Sequence, residues 1–125
     1  MIIEKKSVNF EDARGTIRDI LIGKGIDAAT IITSVPGTVR GNHYHKESMQ
    51  YLYVVSGKMV VAAQVGDGPI EKQEIETGDI VTNPPNEKHA FKAIEHTTFL
   101  SLTKGPRQGK DYEKDTFRLE KPILA

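Results

Sequence analysis

A chain of 125 residues has the length of one domain and can bury a core without staples. Its 17 basic and 17 acidic side chains cancel, so no excess of positive charge invites nucleic acid or an anionic membrane. Cysteine is absent, which excludes a disulfide framework and thiol chemistry and fits a reducing cytoplasm. The first residues, MIIEKKSVNFEDARG, lack the apolar stretch of a signal peptide, and no run approaches the ~20 apolar residues of a membrane span. These features predict a soluble, cytoplasmic protein with a single domain over 1–125.

No window carries apolar residues at i, i+3, i+4 and i+7 over three turns, so helix is not expected in the body of the chain. TIRDILIG (16–23) alternates Ile17, Asp19 and Leu21 against Arg18, Ile20 and Ile22 and predicts the first strand. ATIITSV (29–35) is a β-branched run that stops at Pro36-Gly37. QYLYVVS (50–56) and KMVVAAQV (58–65) flank Ser56-Gly57 and predict a hairpin. After the turn VGDGP (65–69), IEKQEI (70–75) alternates weakly; its Glu71, Lys72 and Glu74 make a solvated edge strand. ETGD (76–79) turns, IVT (80–82) is short, and NPPN (83–86) cannot be central strand because proline donates no ladder bond. HAFKAI (89–94) and TTFLSLT (97–103) close the series. Short strands about ten residues apart predict an all-β sandwich or barrel. Its core spans about 16–103, and a charged tail (104–125) drapes over it or forms a short helix.

His43 and His45 stand two apart in RGNHYH. In an extended strand such residues share a face, ~7 Å apart along the chain, so their imidazoles can converge. They bind a metal together with ligands from other strands, move a proton, or simply sit on a surface. His89, alternating with Phe91 and Ala93, can face inward as well. Gln50 has the opposite parity, so a turn or bulge within 46–48 is needed to bring it to the same side. His96, in the turn-like IEHTT and without a partner, reads as a polar group rather than a ligand.

Gly37, five residues, His43-x-His45, four residues, Gln50, six residues, Gly57 resembles the first motif of the cupin superfamily. Gly78, five residues, Pro84-x-Asn86, two residues, His89 resembles the second. Gln50 stands where the family usually has glutamate, Asn86 where it has glycine, and Ala93 where it has asparagine. The resemblance covers residues 37–93 and implies an all-β double-stranded β-helix, or jelly roll, whose mouth gathers His43, His45, Gln50 and His89. A narrower resemblance sits inside it. RGNHYH is similar to the signature of RmlC-like cupins that act on nucleotide-linked sugars, among them 3,5-epimerases, 3,4-ketoisomerases and the cupin domain of capsule-sugar enzymes. The ketoisomerases resemble the chain further in His43, His45, Lys46 and Gln50 and in a tail pattern matched by Asp111, Tyr112, Asp115 and Arg118. EDARG (11–15) resembles the opening of these enzymes, whose arginine helps hold the substrate diphosphate; that maps to Arg14.

Two chemistries follow from these residues. Three histidines with Gln50 suit one divalent transition metal, whether zinc, manganese, iron, nickel or copper, and no organic cofactor is expected. A neutral amide at Gln50 cancels none of the metal's charge, so affinity is lower than with a carboxylate. The resemblance to ketoisomerases implies instead that His43 and His45 are catalytic acid–base residues that need no metal. Arg14, Arg40 and Tyr112 are the candidate substrate-binding residues, the arginines as phosphate ligands and Tyr112 on a tail lid. Tyr44, Tyr51 and Tyr53, opposite in parity to the inward face, are expected outside with Val55, packing a partner subunit in a homodimer or the second sheet. The leading function is isomerisation or epimerisation of a small nucleotide-activated keto-sugar. The rivals are a metal-dependent enzyme of another class, such as a dioxygenase, and a non-catalytic sugar-binding cupin.

Overall fold

Alternation along the β-branched runs decides which side chains meet. In the computed structural model, which describes residues 1–106 and 111–125 and leaves the side chains of Asp111 and Tyr112 undescribed, these runs fold as strands of two facing sheets. The strands are β1 (Ile2–Lys5), β2 (Phe10–Asp12), β3 (Gly15–Ile17), β4 (Ala28–Ser34), β5 (Val39–Tyr44), β6 (Met49–Ser56), β7 (Lys58–Gln64), β8 (Glu71–Glu76), β9 (Asp79–Asn83), β10 (Lys88–Ala93), β11 (Thr97–Lys104) and β12 (Phe117–Arg118). A short helix, α1 (Asp111–Lys114), precedes β12. One sheet has the order β1-β9-β6-β11-β4 and the other β12-β5-β10-β7-β8, with antiparallel pairing throughout. β1 and β12 lie outside 16–103, so both ends of the chain add strands to the expected barrel.

The core sits between the sheets. Leu52, Val54, Val81 and Phe99 enter from the first, and Met59, Val61, Ile75 and Phe91 from the second. Each is fully or nearly fully buried, worth about 1.5–3 kcal/mol apiece relative to exposure. β8 is an edge strand, as its charges predict. β6 and β7 are not a hairpin, however. They belong to different sheets, and Gly57, at φ 111°, turns the corner from one to the other. Turn chemistry at Ser56-Gly57 marks a reversal of direction but does not say whether the strands pair or face each other.

The outer faces are covered by extended chain. The sequence pattern predicts a strand over 16–23, yet strand ends at Ile17. Ile20 and Leu21 instead pack on the outer face of the first sheet, against Tyr51, Tyr53 and Ile80. With apolar residues on both parities, this stretch serves better as a cover than as a half-exposed strand. Tyr51 and Tyr53 therefore have the predicted outward parity but are buried within the chain, and Arg18 donates to the Tyr53 hydroxyl at 3.1 Å. Tyr44 stacks on Phe117 at 5.3 Å between centroids. Only Val55 of the predicted apolar band is exposed, so the band no longer argues for a homodimer. On the second sheet, Ile123 and Leu124 of the tail cover Ala62 and Ala90.

One irregularity aims the site. β10 pairs with β5 through His89↔His43 and then Ala90↔Gly41, so Asn42 is the extra residue of a bulge. Gly41 (φ 88°) and Asn42 (φ 56°) are both left-handed. A Cβ on Gly41 would lie 2.9 Å from the His89 carbonyl oxygen. The Asn42 amide turns to the tail, donating to Leu124 O and accepting from Ile123 N and Leu124 N. The next residue, His43, lands beside His89. Gly41→Ala is expected to cost about 2 kcal/mol through left-handed strain and the clash with backbone. A urea midpoint that falls with an unchanged m-value would show this, whereas an unchanged midpoint would mean the bulge is not required.

Candidate functional site

A cavity of about 440 Å³ opens between the sheets. Leu52, Phe91 and Phe99 line its apolar part; His43, His45, Gln50, Arg40, Arg118 and Ser101 line its polar part. His43 comes from β5 and His45 from just beyond its end, so the two-residue spacing does bring them to one face. Gln50 comes from β6 in the opposite sheet, so it faces the histidines across the sandwich rather than along one strand. His89, from β10, is 1% exposed and packs against both rings. The ring centroids are 4.8 Å (His43–His45), 4.7 Å (His43–His89) and 5.2 Å (His45–His89) apart.

Hydrogen bonds fix what the buried rings present. His45 Nδ1 lies 2.9 Å from the Asp115 carbonyl oxygen, and His89 Nδ1 lies 3.3 Å from that of Glu87. A carbonyl only accepts, so each Nδ1 carries a proton, and in the neutral form of either ring the lone pair then sits on Nε2. Both Nε2 atoms, and Gln50 Oε1, are buried without a hydrogen-bond partner among the described residues. Asn83 Oδ1 and Thr103 Oγ1, which flank Gln50 across β9 and β11, are in the same condition. The interior therefore holds five polar side-chain atoms without a hydrogen-bond partner among the described residues.

Burial first, then the neighbouring imidazoles, holds His89 down at about 3. Burial, His45 and Arg118 hold His43 at about 4, against a smaller opposing pull from Glu113. Both are neutral near pH 7. Burial alone would raise the Asp115 carboxyl, but bonds from the Ser48 hydroxyl and the N–H groups of Lys46, Ser48 and Glu47 outweigh it and hold it below 3.8.

Arg40 is at the cavity, anchored to Ser34 Oγ (2.8 Å) and Thr33 O (3.0 Å). Arg14 is not. It lies on the β2–β3 hairpin, which pairs with no other strand; it is 85% exposed and held by Asp12 at 2.6 Å. The Tyr112 side chain lies outside the described residues. His96 is exposed. Sequence reasoning gave no structural role to Asp115 or Arg118, although both stood in the tail pattern. Arg118 lines the cavity in register with His43 and pairs with Glu113 at 3.1 Å. Asn83 and Thr103 were readable in principle, because they share Gln50's inward parity on neighbouring strands.

One nitrogen from each of His43, His45 and His89 lies within 4.8 Å of the others. With the Nε2 atoms of His45 and His89 buried and free of hydrogen bonds to the described residues, this trio of nitrogens fits a divalent transition metal.

A family model described as the cupin domain matches residues 30–103. The chain is a cupin. Among solved structures, this cupin is similar to dTDP-4-dehydrorhamnose 3,5-epimerase from Sulfolobus tokodaii, with 20% identity, TM-score 0.72 and coverage of 86% of this chain and 70% of that one. It is similar to QdtA, a sugar 3,4-ketoisomerase from Thermoanaerobacterium thermosaccharolyticum solved with TDP, with 21% identity, TM-score 0.74 and coverage of 95% and 88%. The RmlC epimerase of Mycobacterium tuberculosis gives 14% identity, TM-score 0.78 and coverage of 94% and 67%. At these identities the likeness is one of fold. No curated protein sequence matches the chain. Among the described residues, no helix is long and apolar enough to cross a membrane.

The histidine values carry a stability consequence. A histidine whose folded pKa lies below its ordinary 6.5 leaves the unfolded chain binding more protons between those two values. Stability is thus fully present above pH 6.5 and declines as pH falls toward about 4 for His43 and about 3 for His89. The melting temperature of metal-free cupin should drop between pH 7 and 4, and His89→Gln should flatten that slope. An identical slope in both proteins would show that His89 is not held neutral.

Proposed function

We propose that this cupin isomerises or epimerises a nucleotide-linked keto-sugar, with His43 as the proton-transferring group. One observation carries the reading: the imidazole of the triad that is half-buried and lines the cavity is neutral, and Arg40 and Arg118 line the same cavity. A ketone acidifies the neighbouring C–H. A neutral imidazole takes that proton, and the charge spreads onto the carbonyl oxygen as an enolate. Return of the proton to the same carbon from the other face is epimerisation. Return to the former carbonyl carbon is isomerisation: the proton of the adjacent hydroxyl passes to the former carbonyl oxygen, and the carbon that lost its hydrogen becomes the new ketone.

The arginines suit a phosphate-bearing substrate. Arg118 also helps hold the His43 pKa low, so a phosphate that neutralises Arg118 raises His43 toward the working pH. The fold likeness to epimerases and to a ketoisomerase supports this reading without fixing the substrate.

The unpartnered Nε2 and Oε1 atoms favour a second reading, in which His43, His45, His89 and Gln50 hold a metal. A divalent cation there would polarise a ketone oxygen as a Lewis acid. One experiment separates the two. TDP-4-keto-6-deoxyglucose, the sugar bound to a QdtA variant, is offered to protein before and after chelation. Turnover that survives chelation and falls ~10²–10⁴-fold in His43→Asn supports the proton-transfer reading. Loss on chelation with recovery on adding zinc or manganese would replace it with the metal reading. His43→Asn at wild-type rate would remove His43 from either role.

A further inference from the structure

The loop that follows His45 is shaped by a residue seventy positions away. The Asp115 carboxylate accepts from Lys46 N (3.0 Å), Glu47 N (3.1 Å), Ser48 N (3.0 Å) and Ser48 Oγ (2.9 Å). Its own carbonyl accepts from His45 Nδ1 at 2.9 Å. One tail residue, 4% exposed, thus grips His45 by the ring and the next three residues by backbone. The charge-assisted bonds are the strong members of the set, so they decide where the carbonyl sits.

We propose that Asp115 is the positioning residue of the site: its carboxylate anchors the tail so that its carbonyl holds His45 in the Nδ1–H tautomer. Free histidine in water prefers the proton on Nε2. Here that choice would point a donor into the interior and leave Nδ1 facing a carbonyl with nothing to give it. The carbonyl reverses the preference and keeps the Nε2 lone pair directed inward, among the acceptors around Gln50 and His89. Asn42 supports the same arrangement from the neighbouring turn of the tail, since its carbonyl accepts from Leu119 N at 2.9 Å. The tail therefore selects which nitrogen of His45 carries the proton as well as covering the sheet. The consequence for turnover rests on the function proposed above; the consequence for the tautomer does not.

The test is long-range ¹H–¹⁵N NMR of protein labelled on histidine, at pH 7, without substrate. In the wild type, His45 should show a protonated Nδ1 and a bare Nε2. In Asp115→Asn, which keeps the size but loses the acceptor pair, His45 should become a mixture with Nε2–H. Ser48→Ala removes one bond and spares the backbone ones, so it should move the population part-way. If Asp115→Asn does not fold, Ser48→Ala decides alone. An unshifted tautomer in a folded variant overturns the proposal, because a residue that only braces the loop would leave the ring as it was. Where the keto-sugar is turned over, Asp115→Asn should lower kcat ten-fold or more with KM little changed. A wild type that turns nothing over defeats the function and leaves the tautomer result standing on its own.

Discussion

Two backbone carbonyls, those of Asp115 and Glu87, each accept a hydrogen bond from the Nδ1–H of a buried imidazole, and the chemistry available to the barrel depends on that pairing. In that arrangement the Nε2 atoms of His45 and His89 are without a hydrogen-bond partner among the described residues, as are Gln50 Oε1, Asn83 Oδ1 and Thr103 Oγ1. A buried polar atom in that state costs about 1–3 kcal/mol, a large sum over five atoms against the marginal stability of a domain. Such atoms are tolerated where something satisfies them: a cation that accepts their lone pairs, or a substrate hydroxyl or ordered water that hydrogen-bonds to them. The site is thus the least self-sufficient part of the fold, as function requires.

The scaffold around it is organised to hold that arrangement still. The apolar core from Leu52 to Phe99 occupies the rest of the interior and keeps the sheets in register. The Gly41-Asn42 bulge sets His43 opposite His89, and the same Asn42 fastens the tail to the outer face of the second sheet. The tail then supplies Asp115 to His45 and Arg118 to the cavity. On the first sheet, Ile20 and Leu21 shield Tyr51 and Tyr53. Both coverings come from segments distant in sequence, and of the two the tail reaches the chemistry.

Strand positions were legible because β-branched runs alternate and Gly, Pro and Asn break them; β4 and β6–β11 fall within a residue or two of their expected limits. The convergence of His43, His45 and His89 was legible from parity and from the resemblance to the cupin motifs. Pairing was less so. Ser56-Gly57 announces a corner, but whether β6 and β7 pair is settled by the competing partners β9, β11, β8 and β10. Parity put Tyr51 and Tyr53 outside correctly but could not show that residues thirty positions earlier would cover them. Arg14 looked like a phosphate ligand by motif, but its hairpin pairs only with itself and leaves it away from the cavity. Asp115 was invisible as a clamp because its partners are backbone N–H groups, which leave no trace in residue type.

What the geometry supports is a neutral imidazole facing a cavity beside two arginines, in a fold shared with sugar-nucleotide epimerases and a ketoisomerase. Proton abstraction next to a ketone has a signature that needs no net turnover: exchange of that hydrogen with solvent. The most direct measurement is therefore incubation of TDP-4-keto-6-deoxyglucose with the protein in D₂O, followed by mass spectrometry and proton NMR of the sugar. The account predicts deuterium at the carbon beside the ketone at a rate well above the protein-free control, and loss of that excess in His43→Asn. Bound sugar that acquires no deuterium above the control would contradict it.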